Sequence, residues 1–394
     1  MNCREWLAKL VSYDTTSRNS NLELIYCIRS YLTALGVPST LVYNDEKTKA
    51  NLWATLAGEG GITDGGIILS GHTDVVPVDG QKWESDPFTL TERDGKFYGR
   101  GTCDMKGFIA VCMSLVPELL QMKRRKPIHL AWTYDEEVGC IGGQVLTQFL
   151  REQGVKAYGC IVGEPTSNQV VVAHKGIAVY RARVQGKAAH SSYALTRRSC
   201  NAIDYAAKLI VKIREIAEDF RCNGTCDSFF DVPNTTISTN LVTGGNAENT
   251  VPAVCEFVFE MRYLTNTDLG LIEKQIKTYA EGELLPLMKT EFDCASIEIV
   301  KMVGAPPLKQ ADEEDPFLIL LRRIARDNAV RKVAYATEAG HYQGIGIPVG
   351  VCGPGSILQA HGANEFVTLE QLEGCAKIIR EVAQDGDIGR KPHL

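Results

Sequence analysis

Asp135, Glu136 and Glu137 stand in a row directly after the apolar run IHLAWTY. Like charges this close repel, and burying any of them unpaired costs several kcal/mol. The arrangement recurs along the chain. GIILSGHTD delivers His72 and Asp74, GTCDMKG delivers Asp104, AYGCIVGEP delivers Glu164, and GPGSILQAHGANE delivers His361. Taken singly, each of these reads as a solvated loop residue. Two imidazoles and several carboxylates at the ends of successive apolar runs read as one site. Carboxylates gathered in a common crevice demand positive charge opposite them. His/Asp/Glu ligation suits a pair of Zn2+ ions, with Co2+ or Mn2+ as substitutes.

The elements that must position these groups follow a strand–helix–strand rhythm. Between GIILSGHTDVV and PIHLAWTYDEE, the stretch DMKGFIAVCMSLVPELLQM reads as a helix, as do residues 20–36. Such alternation predicts an α/β domain with a mostly parallel sheet, in which ligands gather at the carboxyl ends of the strands. After about residue 176 the pattern changes. IAVYRARVQG, TTISTNLVTGG, VPAVCEFVFEMRYL and CASIEIVKMV alternate as half-exposed strands, with helices expected near 199–219 and 267–285. That order, β-α-β-β-α-β, predicts a small antiparallel α+β domain inserted at 177–302, leaving 1–176 and 303–394 as one discontinuous domain. A length of 394 residues fits two cores better than one.

Composition narrows the partners. Apolar content of 44%, charged content of 23% and a net charge of −6 are ordinary for a globular protein. KRRKP at 123–127 is the densest basic run and reads as a solvated helix end, so nucleic acid is not expected. No stretch approaches the roughly 20 apolar residues of a membrane span. The N-terminus reads as amphipathic rather than as a signal peptide. Thirteen scattered cysteines suggest reduced thiols in a cytoplasm. Cys222 and Cys226 have no second Cys/His pair near by and read as free thiols in a loop. His129 and His393 read as structural or solvent-facing.

GHTDVVPVD, WESDPF, YGRGTCDMKG, DEEVG, GEPT, HKG and HSS together resemble the M20 family of di-zinc aminoacylases and exopeptidases. Within it, GEPTS, TEAG and GPGS…AH are most similar to the acetylornithine deacetylase branch, with succinyl-diaminopimelate desuccinylases as near cousins. The resemblance implies roles. His72 and Glu164 would bind one metal, Glu137 and His361 the other, and Asp104 would bridge them, with a cis peptide after it. Asp74 would hold the second nitrogen of His72. Glu136 would act as general base, taking a proton from a water acidified by the metals and delivering it to the leaving amine. No role follows for Asp135 beyond a local cap or hydrogen-bond acceptor.

The inserted domain would act as lid and dimerisation domain. There His190 would reach the partner's active site and stabilise an oxyanion, and Asn249 would contact the substrate. Arg262 would grip the substrate carboxylate, and Lys175 would add charge or serve as a hinge. His174 and His341 are further candidates, and Glu338 in TEAG falls where family members line the pocket. The implied activity is hydrolysis of an N-acyl amino acid amide, foremost N2-acetyl-L-ornithine in arginine biosynthesis, by a cytoplasmic homodimer. A desuccinylase or dipeptidase is the alternative within the class, and an inactive binding protein the alternative outside it.

Overall fold

Four strands, buried along their whole length, form the centre of the first unit. Ile128–Thr133, Ile67–His72, Gly159–Val162 and Val349–Val351 lie side by side in that order and run parallel. Burial on both faces is why they appear in the sequence as continuous apolar runs. The flanks are antiparallel. Ser39–Tyr43 and Ala50–Leu56 extend one edge, and Val171–His174 with Arg331–Val333 the other, giving eight strands in all. The computed structural model describes residues 1–385, so His393 lies outside the described residues. The chain divides into two compact units, one of Met1–Ala173, Leu308–Lys332 and the chain from Thr337, the other of His174–Pro307 with Val333–Ala336.

The helix Lys106–Gln121 is apolar almost all round, burying Phe108, Ile109, Val111, Met113 and Leu115. Its close approach to the sheet depends on Gly163. A Cβ there would fall 2.0 Å from the Phe108 ring, and Gly163 immediately precedes Glu164. Gly163→Ala is therefore expected to destabilise the chain by about 1–3 kcal/mol. Urea unfolding would measure this, and Phe108→Leu in the same chain should recover part of the loss.

Basic residues at 123–127 were expected to be solvated, and Arg124 is not. It is buried, and its guanidinium donates to the carbonyls of Leu119 at 3.0 Å and Lys126 at 3.0 Å. The cation thereby satisfies one orphan carbonyl at the end of the preceding helix and one in the connection that follows it.

The second unit is a four-stranded antiparallel sheet in the order Thr236–Gly244, Val254–Tyr263, Gly176–Gln185, Ser296–Ala305. Burial alternates along the two central strands, so one face is apolar. Tyr180, Val184, Phe257 and Phe259 on that face pack against Leu209 and Ile213 of Ala202–Asn223 and Ile272 and Ile276 of Leu269–Tyr279. Among the described residues no helix is long and apolar enough to cross a membrane. All thirteen cysteines are free, Cys222 and Cys226 among the exposed ones.

Candidate active site

The carboxyl ends of the parallel strands bring the acids and imidazoles together. Asp104 occupies the middle. Its Oδ1 is 3.0 Å from His72 Nε2, and its Oδ2 is 3.2 Å from His361 Nε2. Glu164 Oε1 lies 3.9 Å from His72 Nε2, and Glu137 Oε2 lies 3.1 Å from His361 Nε2. One carboxylate therefore presents an oxygen to each of two His/Glu pairs. The peptide Asp104–Met105 is cis.

Divalent ions fit this arrangement. A tetrahedral zinc with ligands at about 2.0–2.1 Å holds its donor atoms roughly 3.3 Å apart, close to the separations found here. Donor atoms of His72, Glu136 and Glu164, and again of His72, Asp104 and Glu137, lie within 4.8 Å of one another. Glu137 Oε1 and Glu164 Oε1 are buried with no hydrogen-bond partner, which is costly unless a cation takes their lone pairs.

Electrostatics point the same way. Burial, with mutual repulsion added, pushes Glu136 up to about 8 and Glu137 up to about 7. Glu164 is raised well above the usual carboxylate range for the same reasons. Burial would raise Asp104 too, but its hydrogen bonds to His361 and His72 outweigh that and lower it. Hydrogen bonds to Asp104 and Glu137 lift His361 to about 10. Two imidazoles cannot neutralise four buried carboxylates, and two divalent cations can.

His72 Nδ1 is 2.9 Å from the backbone carbonyl of Asp74. A carbonyl only accepts, so Nδ1 carries a proton; Nε2 faces Asp104 and Glu164, donating to Asp104 Oδ1 at 3.0 Å when no cation is bound and free to give its lone pair to one that is. The Asp74 carboxylate was expected to hold this nitrogen, but its nearer oxygen is 3.6 Å away. That carboxylate instead accepts the Ser17 hydroxyl at 2.7 Å and the backbone N–H groups of Glu136 and Glu137 at 3.0 and 3.2 Å. It thus ties the His72 strand end to the loop carrying both glutamates.

Within that loop the Cys140 thiol donates to Glu136 Oε1 at 3.2 Å. Asp135, in a left-handed conformation, pairs with Lys49. The lysine is the positive partner that keeps the third acid of the row from adding to the repulsion. Glu365 and Arg100, a buried ion pair at 2.7 Å, stand beside Asp104.

The remaining candidates fall elsewhere. Glu338, expected to line a pocket, is wholly buried and accepts from the Ser70 and Thr133 hydroxyls at 2.6 and 2.7 Å. Those hydroxyls come from neighbouring strands, so this carboxylate braces the sheet interior. Burial drives His341 down to about 4, so it is a neutral side chain. His129 bonds Thr55 and the Gly65 carbonyl, the structural role its sequence context suggests.

In the second unit His174 is buried. His190 and Asn249 meet through a short pairing of Ala189–His190 with Thr250–Val251, where Ser191 N donates to Asn249 O at 2.9 Å. Both are exposed. Lys175 is fully buried and bonded to the Asn234 carbonyl, so its ammonium is committed to the interior rather than offered to a substrate. Arg262 pairs with Glu260 at 2.6 Å.

Comparison with known proteins gives a consistent set. Residues 68–385 match the model of peptidase family M20/M25/M40. The acetylornithine deacetylase of Pasteurella multocida (strain Pm70) is 31% identical over 94% of this chain and 93% of its own length. That of Proteus mirabilis (strain HI4320) is 30% identical over 96% and 93%. Among solved structures, the M20 family metallo-carboxypeptidase Sso-CP2 from Sulfolobus solfataricus superposes with a TM-score of 0.76 at 17% identity, covering 98% of this chain and 99% of that one. The Bacillus subtilis YXEP protein, described as a dinuclear metal binding peptidase, gives a TM-score of 0.66 at 16% identity, covering 97% and 96%.

Proposed function

The chain is a metal-dependent hydrolase of peptidase family M20/M25/M40, and on that premise we propose that it cleaves the amide bond of an N-acyl amino acid, with N2-acetyl-L-ornithine as substrate. The observation that carries the reading is the Asp104 carboxylate, which offers one oxygen to each of two His/Glu pairs beside a further carboxylate, Glu136.

His72 and Glu164 would hold one divalent cation and His361 and Glu137 the other, with Asp104 shared between the two pairs. Zinc suits this donor set, with cobalt or manganese as substitutes. When bound, the pair supplies Lewis acidity to the scissile carbonyl and acidifies the attacking water. Glu136 does the proton work. Cys140 engages its Oε1, which leaves Oε2 to take a proton from the water and return it to the departing amine.

The second unit supplies the substrate contacts. His190 Nδ1 is paired with Ser192 Oγ at 2.9 Å and accepts from the Ser192 backbone N–H, which leaves Nε2–H to donate to an oxyanion. Asn249 stands beside it, and Arg262 takes the α-carboxylate. Two copies of the chain pair through this unit, covering the edge strand Thr236–Gly244, where Leu241 and Val242 are 65% and 58% exposed. Free thiols throughout favour a cytoplasmic setting.

The test is a steady-state panel of acetylornithine, other N-acetyl amino acids, succinyl-diaminopimelate and dipeptides with the zinc-loaded protein. Acetylornithine is expected to give the highest kcat/KM. A higher value for the succinyl substrate or a dipeptide would replace the substrate assignment but leave the metal chemistry standing. Absence of any amide hydrolysis would remove both.

A further inference from the structure

Glu365 lies at the end of the segment carrying His361, and its side chain is 1% exposed. Its two oxygens are fully engaged. Oε2 accepts from Arg100 Nη1 at 2.7 Å and from the Gly101 N–H at 3.0 Å. Oε1 accepts from the backbone N–H groups of Cys103 at 2.8 Å and Asp104 at 3.0 Å. A single carboxylate thus holds the backbone on which the central ligand is mounted. Arg100 carries the same network to the other ligand loop. Its Nη2 donates to Gln81 Oε1 at 2.6 Å, and Gln81 Nε2 donates to the backbone carbonyl of His361 at 2.8 Å.

We propose that the Glu365–Arg100–Gln81 chain is a positioning device that sets Asp104 against His361 and so tunes the affinity of the second metal position, the one completed by Glu137. This rests on the two-metal reading above. The asymmetry has a geometric origin. His72 is fixed through the Asp74 carbonyl, and the Glu164 carboxylate makes no contact with this chain of bonds. His361 by contrast has a side chain 54% exposed, and its backbone carbonyl is anchored through Gln81. Partners that orient metal ligands typically contribute 10- to 100-fold in affinity. Here the loss should fall mainly on one of two positions.

The full chain, stripped with chelator, would be dialysed against graded free-zinc buffers and its zinc content measured by mass spectrometry. The parent is expected to fill two positions. Glu365→Gln, which keeps the shape but not the charge, should weaken the looser one by about 10- to 100-fold and the tighter one much less. Because this substitution leaves Arg100 buried and unpaired, a poorly folding product is met by Gln81→Ala at a half-buried position. That variant removes the link to the His361 carbonyl together with the acceptor that Gln81 offers to Arg100 and to the Trp83 indole N–H, leaves the Glu365–Arg100 pair in place, and should show the same selective weakening while remaining folded in chelator.

A purely structural role would lower the midpoint and affect both positions alike. Unchanged affinities, or an equal loss at both positions, in a folded variant would overturn the proposal while leaving the two-metal site intact. A parent that binds fewer than two zinc ions would remove the two-metal reading itself, and the proposal with it.

Discussion

Glu136→Gln should retain zinc at both positions and lose about 10²- to 10⁴-fold in kcat, the range contributed by a positioned general base. The expectation separates two adjacent residues with the same side chain. Glu137 lies 3.1 Å from His361 and shares a ligand cluster with His72 and Asp104. Glu136 stands nearer the His72 and Glu164 side, with one oxygen engaged by the Cys140 thiol. Removing the first should release metal, and removing the second should remove only the proton carrier. Zinc analysis beside steady-state kinetics on the same preparations distinguishes them. Parent-like turnover in Glu136→Gln would remove the residue from the proton path. Loss of zinc in that variant would make it a ligand instead.

The candidate ligands are legible in the sequence because most lie within a few residues of the end of a buried strand or the start of a buried helix, His361 being the exception. An apolar run that stops abruptly at His72, Glu136 or Glu164 carries its own warning, since the fold must dispose of a charge at the edge of its core. The residues that hold the ligands carry no such mark. Ser17 is 57 positions from Asp74, Lys49 is 86 from Asp135, and Glu365 is 261 from Asp104. Their pairing is created by the topology and has no periodicity to betray it. Arg100 in YGRGTCD was within sight, since a cation close to a bridging acid asks for an explanation, but its partner lies in the His361 loop.

The fold divides in the same way. Central parallel strands announce themselves by hydrophobicity. The pair Ser39–Tyr43 and Ala50–Leu56 does not, because the outer strand is half-exposed and polar. Glu338 and Arg124 mark the other failure. Glu338 was read as lining a pocket and Arg124 as part of a solvated run, and both are buried. One is held by two hydroxyls and the other by backbone carbonyls, partners that any stretch of chain can supply.

Asp104→Asn is expected to have the widest consequence, because its carboxylate faces both His/Glu pairs proposed to hold metal. A neutral amide leaves each His/Glu pair one anionic oxygen short, and its nitrogen repels a cation. Zinc should be lost from both positions and activity with it. The sharper readout is stability. A ligand that binds only the folded chain stabilises it by RT ln(1 + [L]/Kd), about 4 kcal/mol per site at a thousandfold excess over Kd. Zinc should therefore raise the parent's thermal unfolding midpoint, while in Asp104→Asn the midpoint should hardly respond. In chelator the variant should also be the less stable of the two, because hydrogen bonds to His361 and His72 outweigh burial and favour the ionised Asp104 in the folded chain. The expected signature is a gap between variant and parent that is present without zinc and widens with it. A zinc-induced rise in Asp104→Asn equal to that of the parent would show that Asp104 bridges nothing.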